Sequence, residues 1–307
     1  ITQNTLFTLN VYNSNDELVG TDSSEVEVNP LPVFEVHNDL TICEGDSINL
    51  GDGVTSQTGF SYQWSSLNGF NSTLANPPPH TPISDDTFTL TVTSSEGCSD
   101  SKSFDVDVVE KPIINFSGDN FSVCEGENFV ITPGIATVQF SDNYEWSVLA
   151  GNGTFNTPTS LSPIFTPSET AINAGTVTLT LTATDQSPCT GSLSESITLN
   201  ITPLGSIDIS PVNQVVCSSE NIELDIIGSN FIDSSIVVSP DSAIINTSTN
   251  KIFYTPTDTD ISNGYVDIFI TADPLSPCTD SLTSTTERIT ITSEAEVEIS
   301  NSPLVIG

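Results

Sequence analysis

The sequence predicts an all-β chain of tandem antiparallel β-sandwich modules, and three observations carry that prediction. First, Phe88 to Cys98 reads FTLTVTSSEGC, with threonines alternating with Phe88, Leu90 and Val92. That is the period-2 pattern of a strand with one buried face. Second, the same strand–turn–Cys unit returns as Val177 to Cys189 (VTLTLTATDQSPC) and as Val266 to Cys278 (VDIFITADPLSPC). Serial self-similarity of this kind marks a repeat array. Third, turn signals separate many short strand patterns, and no segment carries a helical period.

Residues 1–30 read as the last strands of an incomplete repeat. Leu6 to Tyr12 (LFTLNVY) is a copy of the key strand without a cysteine, and Ser23 to Val28 matches the closing strand Ser101 to Val108. Residues 31–112 form the first whole module. Val33, Glu35 and His37 are expected on an opening strand, and Cys43 precedes a strand with Ile48 and Leu50 inward. Tyr62-Gln63-Trp64 is a mid-module strand followed by an Asn68-Gly69 turn. Pro77-Pro78-Pro79 is a loop or edge, because proline has no backbone N–H for a ladder.

Residues 113–203 repeat this order as module 2. Cys124-Glu125-Gly126-Glu127 echoes Cys43-Glu44-Gly45-Asp46, and Tyr144-Glu145-Trp146 echoes Tyr62-Gln63-Trp64. Module 3, residues 204–293, keeps Cys217, Thr255-Pro256 and Cys278 but lacks the Trp; Ile236 and Val238 are expected in its place. Residues 294–307 begin with a strand pattern (EVEIS) that resembles the opening of a further repeat. Ile1 and the lack of any Met predict an excised or processed piece of a longer chain.

Lys and Arg number 4 against 40 Asp and Glu, for a net charge of −36. Nucleic-acid binding needs cations that displace counterions from phosphates, so it is excluded, as is an anionic membrane surface. The acids give a solvated, self-repelling surface. No run of 18 apolar residues is present, so no membrane insertion is expected.

Each module holds one early and one late cysteine, and the positions pair them as Cys43–Cys98, Cys124–Cys189 and Cys217–Cys278. One intramodule disulfide each, at the sandwich rim, implies an oxidising extracellular compartment. In the chain-entropy model each would add about 4 kcal/mol. No C-x-x-C occurs, which disfavours zinc. The early cysteines recur about every 80–95 residues, and a Trp lies between two cysteines in modules 1 and 2. With some seven short strands per repeat, this reads as an Ig-like sandwich. End to end, such modules make a linear rod on the order of 120 Å at 3.3 Å per strand residue.

Cys-Glu-Gly-Asp/Glu, then Tyr-x-Trp, then a Thr-Pro loop, then a T-x-T-V-T strand ending in Gly-Cys or Pro-Cys resembles the PKD-like and Ig-like repeats of large surface proteins from gliding bacteria. Giant gliding-motility adhesins exported by type IX secretion are the nearest type. The PKD hallmark after the Trp is absent: Ser65-Ser66 follows Trp64 and Ser147-Val148 follows Trp146. The resemblance implies an exported, outer-membrane-associated protein at the cell surface. Its partners would be neighbouring repeats, surface glycans or other surface ligands, and the secretion and gliding machinery. Asp46-Ser47, Asp241-Ser242 and Asp280-Ser281 resemble the O-glycosylation motif of these bacteria.

No catalytic residue is expected. His37 and His80 read as surface histidines, and a triad needs His near Ser and an orienting acid. Trp64 and Trp146 are expected in the core rather than as glycan-stacking platforms. No cofactor is expected beyond a structural Ca²⁺. Its candidate ligands are the acids after each Thr-Pro, namely Asp85, Asp86, Glu169, Asp258 and Asp260. No D-x-D-x-D-G loop supports them. The function expected is a non-catalytic stalk segment of a secreted surface adhesin. The alternative is a spacer or carbohydrate-binding segment of a secreted polysaccharide-degrading enzyme.

Overall fold

The computed structural model describes residues 3–293. The strand expected at Glu294 lies outside them. The described residues are all-β apart from two six-residue helices and one 3₁₀ turn. By contact they form two compact units. One holds the residues up to Ile113 together with Gln139–Asn143 and Ala183–Leu193; the other holds Ile114–Val138, Tyr144–Thr182 and the residues from Ser194 on.

The alternation read from the sequence sets the key strands. Asp86–Thr93 buries Phe88, Leu90 and Val92 and turns its threonines outward. It lies between the strand Ser61–Ser66 and the closing strand Ser99–Val109 in a five-stranded sheet. Trp64, fully buried, pairs with Leu90 and donates its indole N–H to the Ala75 carbonyl at 3.4 Å. Ile48, Leu50 and Val54 back this sheet. Residues 33–37, expected as an opening strand, are not in a strand; Phe34 and Val36 still pack against the core.

The strand Thr176–Thr184 buries Val177, Leu179, Leu181 and Ala183 in a four-stranded sheet with Tyr144–Val148 and Ser192–Thr202. Trp146 is buried there against Phe116 and Phe155.

Two sheets close over one core between Ser206 and Thr292. One contributes Ile207, Ile209, Leu224 and Tyr254; the other contributes Val238, Ile268, Ile270 and Ile291. Val238 and the half-buried Ile236 do fill this core, where modules 1 and 2 carry Trp. Gly228, at φ 142°, sits where a Cβ would run into the Ser206 carbonyl, so two backbones of this sheet approach closely.

The expected helix-free loops after Thr-Pro are instead short helices in two repeats. Glu169–Ala174 (α1) starts from Ser168, whose hydroxyl accepts the Ala171 N–H, and stops at Gly175. Asp258–Asn263 (α2) starts from Thr257 in a capping box with Asp260 and stops at Gly264. Six residues bounded by caps are too few to show a helical period in sequence.

A second correction concerns direction. The sheets are not purely antiparallel. In each repeat the short strand that ends in the early cysteine pairs parallel with the closing strand. Leu40–Cys43 runs beside Val106–Val109, Asn120–Cys124 beside Thr198–Thr202, and Val215–Cys217 beside Thr290–Thr292.

Candidate functional site: the cysteine junctions

The parallel pairing fixes where each cysteine lies. Cys43 pairs with Val109, Cys124 with Thr202 and Cys217 with Thr292, all at the C-terminal end of a closing strand. The late cysteine Cys98 lies at the other end, just before Ser99–Val109 begins. That strand has 11 residues, so its ends are about 30 Å apart at 3.3 Å per residue. A disulfide spans a Cα–Cα distance of only about 4.4–6.8 Å. A bond from Cys43 to Cys98 is therefore geometrically closed.

The bonds observed are Cys43–Cys189 and Cys124–Cys278, with Cα–Cα distances of 4.9 and 5.0 Å. Cys98 and Cys217 are free thiols. This overturns the expected pairs Cys43–Cys98, Cys124–Cys189 and Cys217–Cys278, and with them the expectation of one intramodule disulfide each. All ladders pair strands within one of the spans 1–30, 31–112, 113–203 and 204–293, among the described residues. Both disulfides join an early cysteine to the late cysteine of the following span. Each bond joins the end of one closing strand to the turn that follows the key strand of the next span.

The Cys-Glu-Gly-Asp/Glu motif builds this junction. Gly45 and Gly126 take φ of 90° and 86°, which lets the chain turn directly after the cysteine. The turn closes with Asp46 N–H on the Cys43 carbonyl at 2.9 Å and Glu127 N–H on the Cys124 carbonyl at 3.1 Å. Glu44 N–H donates to the Val109 carbonyl, and Glu125 N–H to the Thr202 carbonyl. The glutamate side chains then reach the linker. Glu44 Oε2 accepts the Lys111 N–H at 3.2 Å, and Glu125 Oε2 accepts the Leu204 N–H at 2.9 Å. The motif thus holds both the cysteine and the first linker residues on the end of the closing strand. Cys189 Sγ lies 3.4 Å from the Val109 carbonyl oxygen, and Cys278 Sγ lies 3.8 Å from that of Thr202. A cavity of about 400 Å³ beside Cys124–Cys278 is lined by Glu125, Glu127, Leu204, Asp280 and Leu282.

The candidate calcium acids do not converge. Asp85 Oδ1 accepts the Val108 N–H at 2.8 Å, and the buried Asp86 accepts the N–H groups of Asn68 and Thr87. Glu169 and Asp258 lie in the first turns of α1 and α2. Asp260 accepts from Thr257 N–H at 2.8 Å, Thr257 Oγ1 at 2.6 Å and Tyr254 Oη at 2.6 Å. Among the described residues, no three His, Cys, Asp or Glu side chains gather as a metal site. Burial pushes the Asp260 carboxyl up, but the donors on Thr257 and Tyr254 outweigh it and hold it below its ordinary range.

The histidines are half-buried rather than on the open surface. His37 Nε2 is 2.8 Å from the Asn49 carbonyl and its ring meets Phe104 edge-on. His80 packs on Phe70 and Phe88 and bridges to Ile48. Ser47, Ser242 and Ser281 are exposed. The sequence reading missed the ion pairs that three of the four cations make. Lys102 meets Glu35, Lys251 meets Glu223 and Asp225, and Arg288 grips Asp267 through two 2.8 Å bonds while lying over Tyr265.

No family model matches the chain. No curated protein matches it. Among solved structures it is similar to the I-band fragment I67–I69 from titin, with a TM-score of 0.46 at 14% identity over 86% of this chain and 98% of that one. It is also similar to protocadherin gamma B7 extracellular cadherin domains 1–4, with a TM-score of 0.41 at 14% identity over 90% of this chain and 80% of that one. A third is mouse cadherin-23 EC22–24, with a TM-score of 0.39 at 13% identity over 84% of this chain and 96% of that one.

Two predictions follow from this geometry. Cys43→Ala, Cys189→Ala and the double variant should lower the melting temperature by the same amount, because each removes one and the same bond. A loop of 146 residues is worth about 5 kcal/mol in the chain-entropy model. Cys98→Ala should leave the melting temperature unchanged; a loss equal to that of Cys43→Ala would restore the intramodule pairing. For Asp260, the depressed folded pKa means that its contribution is present above the unfolded carboxylate pKa of about 3.9 and is lost as pH falls through the folded value. Thermal melts should therefore show Asp260→Asn less stable near neutrality by roughly 1–2 kcal/mol, the size of the charge-assisted hydrogen bonds it weakens, with the gap closing below about pH 4. A gap independent of pH would contradict this.

Proposed function

We propose that this chain is a non-catalytic stalk segment of an extracellular adhesion protein, a chain of small sandwiches tied covalently from one repeat to the next. The observation that carries the reading is the course of the disulfides, which cross between successive spans. A bond inside a module stabilises that module alone, whereas a bond from one repeat to the next restrains the linker between them. Tension along the chain then meets a sulfur bridge beside the short linkers at Glu110–Pro112 and Pro203–Leu204.

Further features support the reading. Disulfides persist in oxidising compartments outside the cytosol. Among the described residues, no helix is long and apolar enough to cross a membrane. Trp64 and Trp146 are fully enclosed, so neither ring is open for sugar stacking. The net charge of −36 keeps such a chain solvated and resists collapse onto like surfaces. Within this class we place the chain with the giant gliding-motility adhesins exported by type IX secretion. That placement rests on the Cys-Glu-Gly-Asp/Glu and Tyr-x-Trp motifs repeated in order. Its partners would be neighbouring repeats, surface glycans and the export and motility machinery.

Antibodies raised against the chain should label intact cells of the source organism. Removing its coding segment should weaken attachment under flow. Labelling only after permeabilisation would contradict the proposal.

A further inference from the structure

We propose that Cys98 and Cys217 are the two open halves of a continuing ladder of inter-repeat disulfides. Cys217 takes the late cysteine of a following repeat, and Cys98 takes the early cysteine of a preceding one. The partner in each case is a cysteine thiol in a repeat of this same architecture.

The equivalence is visible residue by residue. Cys217 pairs with Thr292 as Cys43 does with Val109 and Cys124 with Thr202. Its turn closes with Glu220 N–H on the Cys217 carbonyl at 3.0 Å, and Ser218 N–H donates to the Thr292 carbonyl at 2.9 Å. Glu220 Oε2 holds the Cys217 N–H at 3.0 Å, as Asp46 Oδ2 holds that of Cys43 at 3.2 Å. Both sibling positions carry a disulfide; Cys217 is exposed and unbonded.

At the other end, Cys98 Sγ lies 3.8 Å from the Asn29 carbonyl oxygen. Cys189 and Cys278 make the same approach to Val109 and Thr202, each in a bond to the early cysteine beside that carbonyl. Asn29 follows the strand Leu18–Val26, which pairs with Thr5–Tyr12 in a two-stranded hairpin. Phe7, Leu9 and Val11 of that hairpin are 50%, 65% and 49% exposed, whereas the matching Phe88, Leu90 and Val92 are at most 2% exposed. A hairpin with a bare apolar face and a thiol at its end fits the front strands of a repeat, with an early cysteine at their tip.

Each bond forms by oxidation of two thiols, which release two protons and two electrons. A disulfide oxidant such as oxidised glutathione accepts them and leaves as two thiols. The proposal rests on the repeat order and not on the adhesive reading. A failure of surface labelling therefore leaves it standing.

The test is an extended chain in which residues 204–293 are repeated after residue 293. The added copy carries Val215→Ile and Leu275→Val as mass tags near its two cysteines. After oxidation with oxidised glutathione, unreduced digests are mapped by mass spectrometry, and free thiols are counted by alkylation. Cys217 should be bonded to the added copy of Cys278, its alkylation should fall at least tenfold relative to the 307-residue chain, and the added copy of Cys217 should be free. A second extended chain with Cys278→Ser in the added copy should return Cys217 to full alkylation. The proposal is overturned if Cys217 stays alkylated in the first chain or bonds to Cys278 of its own repeat.

Discussion

The structure depends on one short contact, the parallel pairing of a strand of three to five residues with the end of the closing strand. It carries the early cysteine to one end of its repeat, while the hairpin after the key strand leaves the late cysteine at the other. Once the two stand a strand length apart, they cannot meet. The early cysteine can reach only a residue brought to that end by the next stretch of chain. Short linkers bring the next late cysteine there. Backbone hydrogen bonding thus decides the disulfide topology, and the sulfur chemistry follows.

This arrangement also gives the small acidic motif a purpose. In Cys-Glu-Gly-Asp/Glu the glycine turns the chain, the last acid or its N–H closes the turn, and the glutamate accepts a linker N–H. Module 3 has Ser218 and Ser219 in place of Glu and Gly, yet its turn still closes on Glu220. Many other acids act the same way, as local acceptors for backbone N–H groups. Asp85, Asp86 and Asp260 are held by donors of their own strands, caps and loops rather than gathered around a cation.

Much of the fold is legible in the sequence. The alternation of Phe88, Leu90 and Val92 against threonine announces a one-faced strand, and its three copies announce an array. Trp64, Trp146 and Val238 fall in the core because each lies on the strand beside a key strand. The cysteine pairing was not legible. A three- or four-residue segment such as LTIC has no period, so nothing local tells whether it runs with or against its neighbour. Assigning one bond per module followed from counting two cysteines in each, a rule that holds only if both lie at the same end. The usable signal was the length of the closing strand, which separates Cys98 from the residue beside Cys43. The short helices α1 and α2 escaped for a similar reason: a single capped turn or two leaves no periodic trace, although Thr255-Pro256-Thr257-Asp258-Thr259-Asp260 could be read as the start of α2.

The most direct measurement is disulfide mapping of the unreduced 307-residue chain by mass spectrometry, with free thiols alkylated before digestion. The account requires peptides linked through Cys43–Cys189 and Cys124–Cys278, with the alkyl label on Cys98 and Cys217. Peptides linked through Cys43–Cys98, Cys124–Cys189 and Cys217–Cys278, with no labelled cysteine, would contradict it.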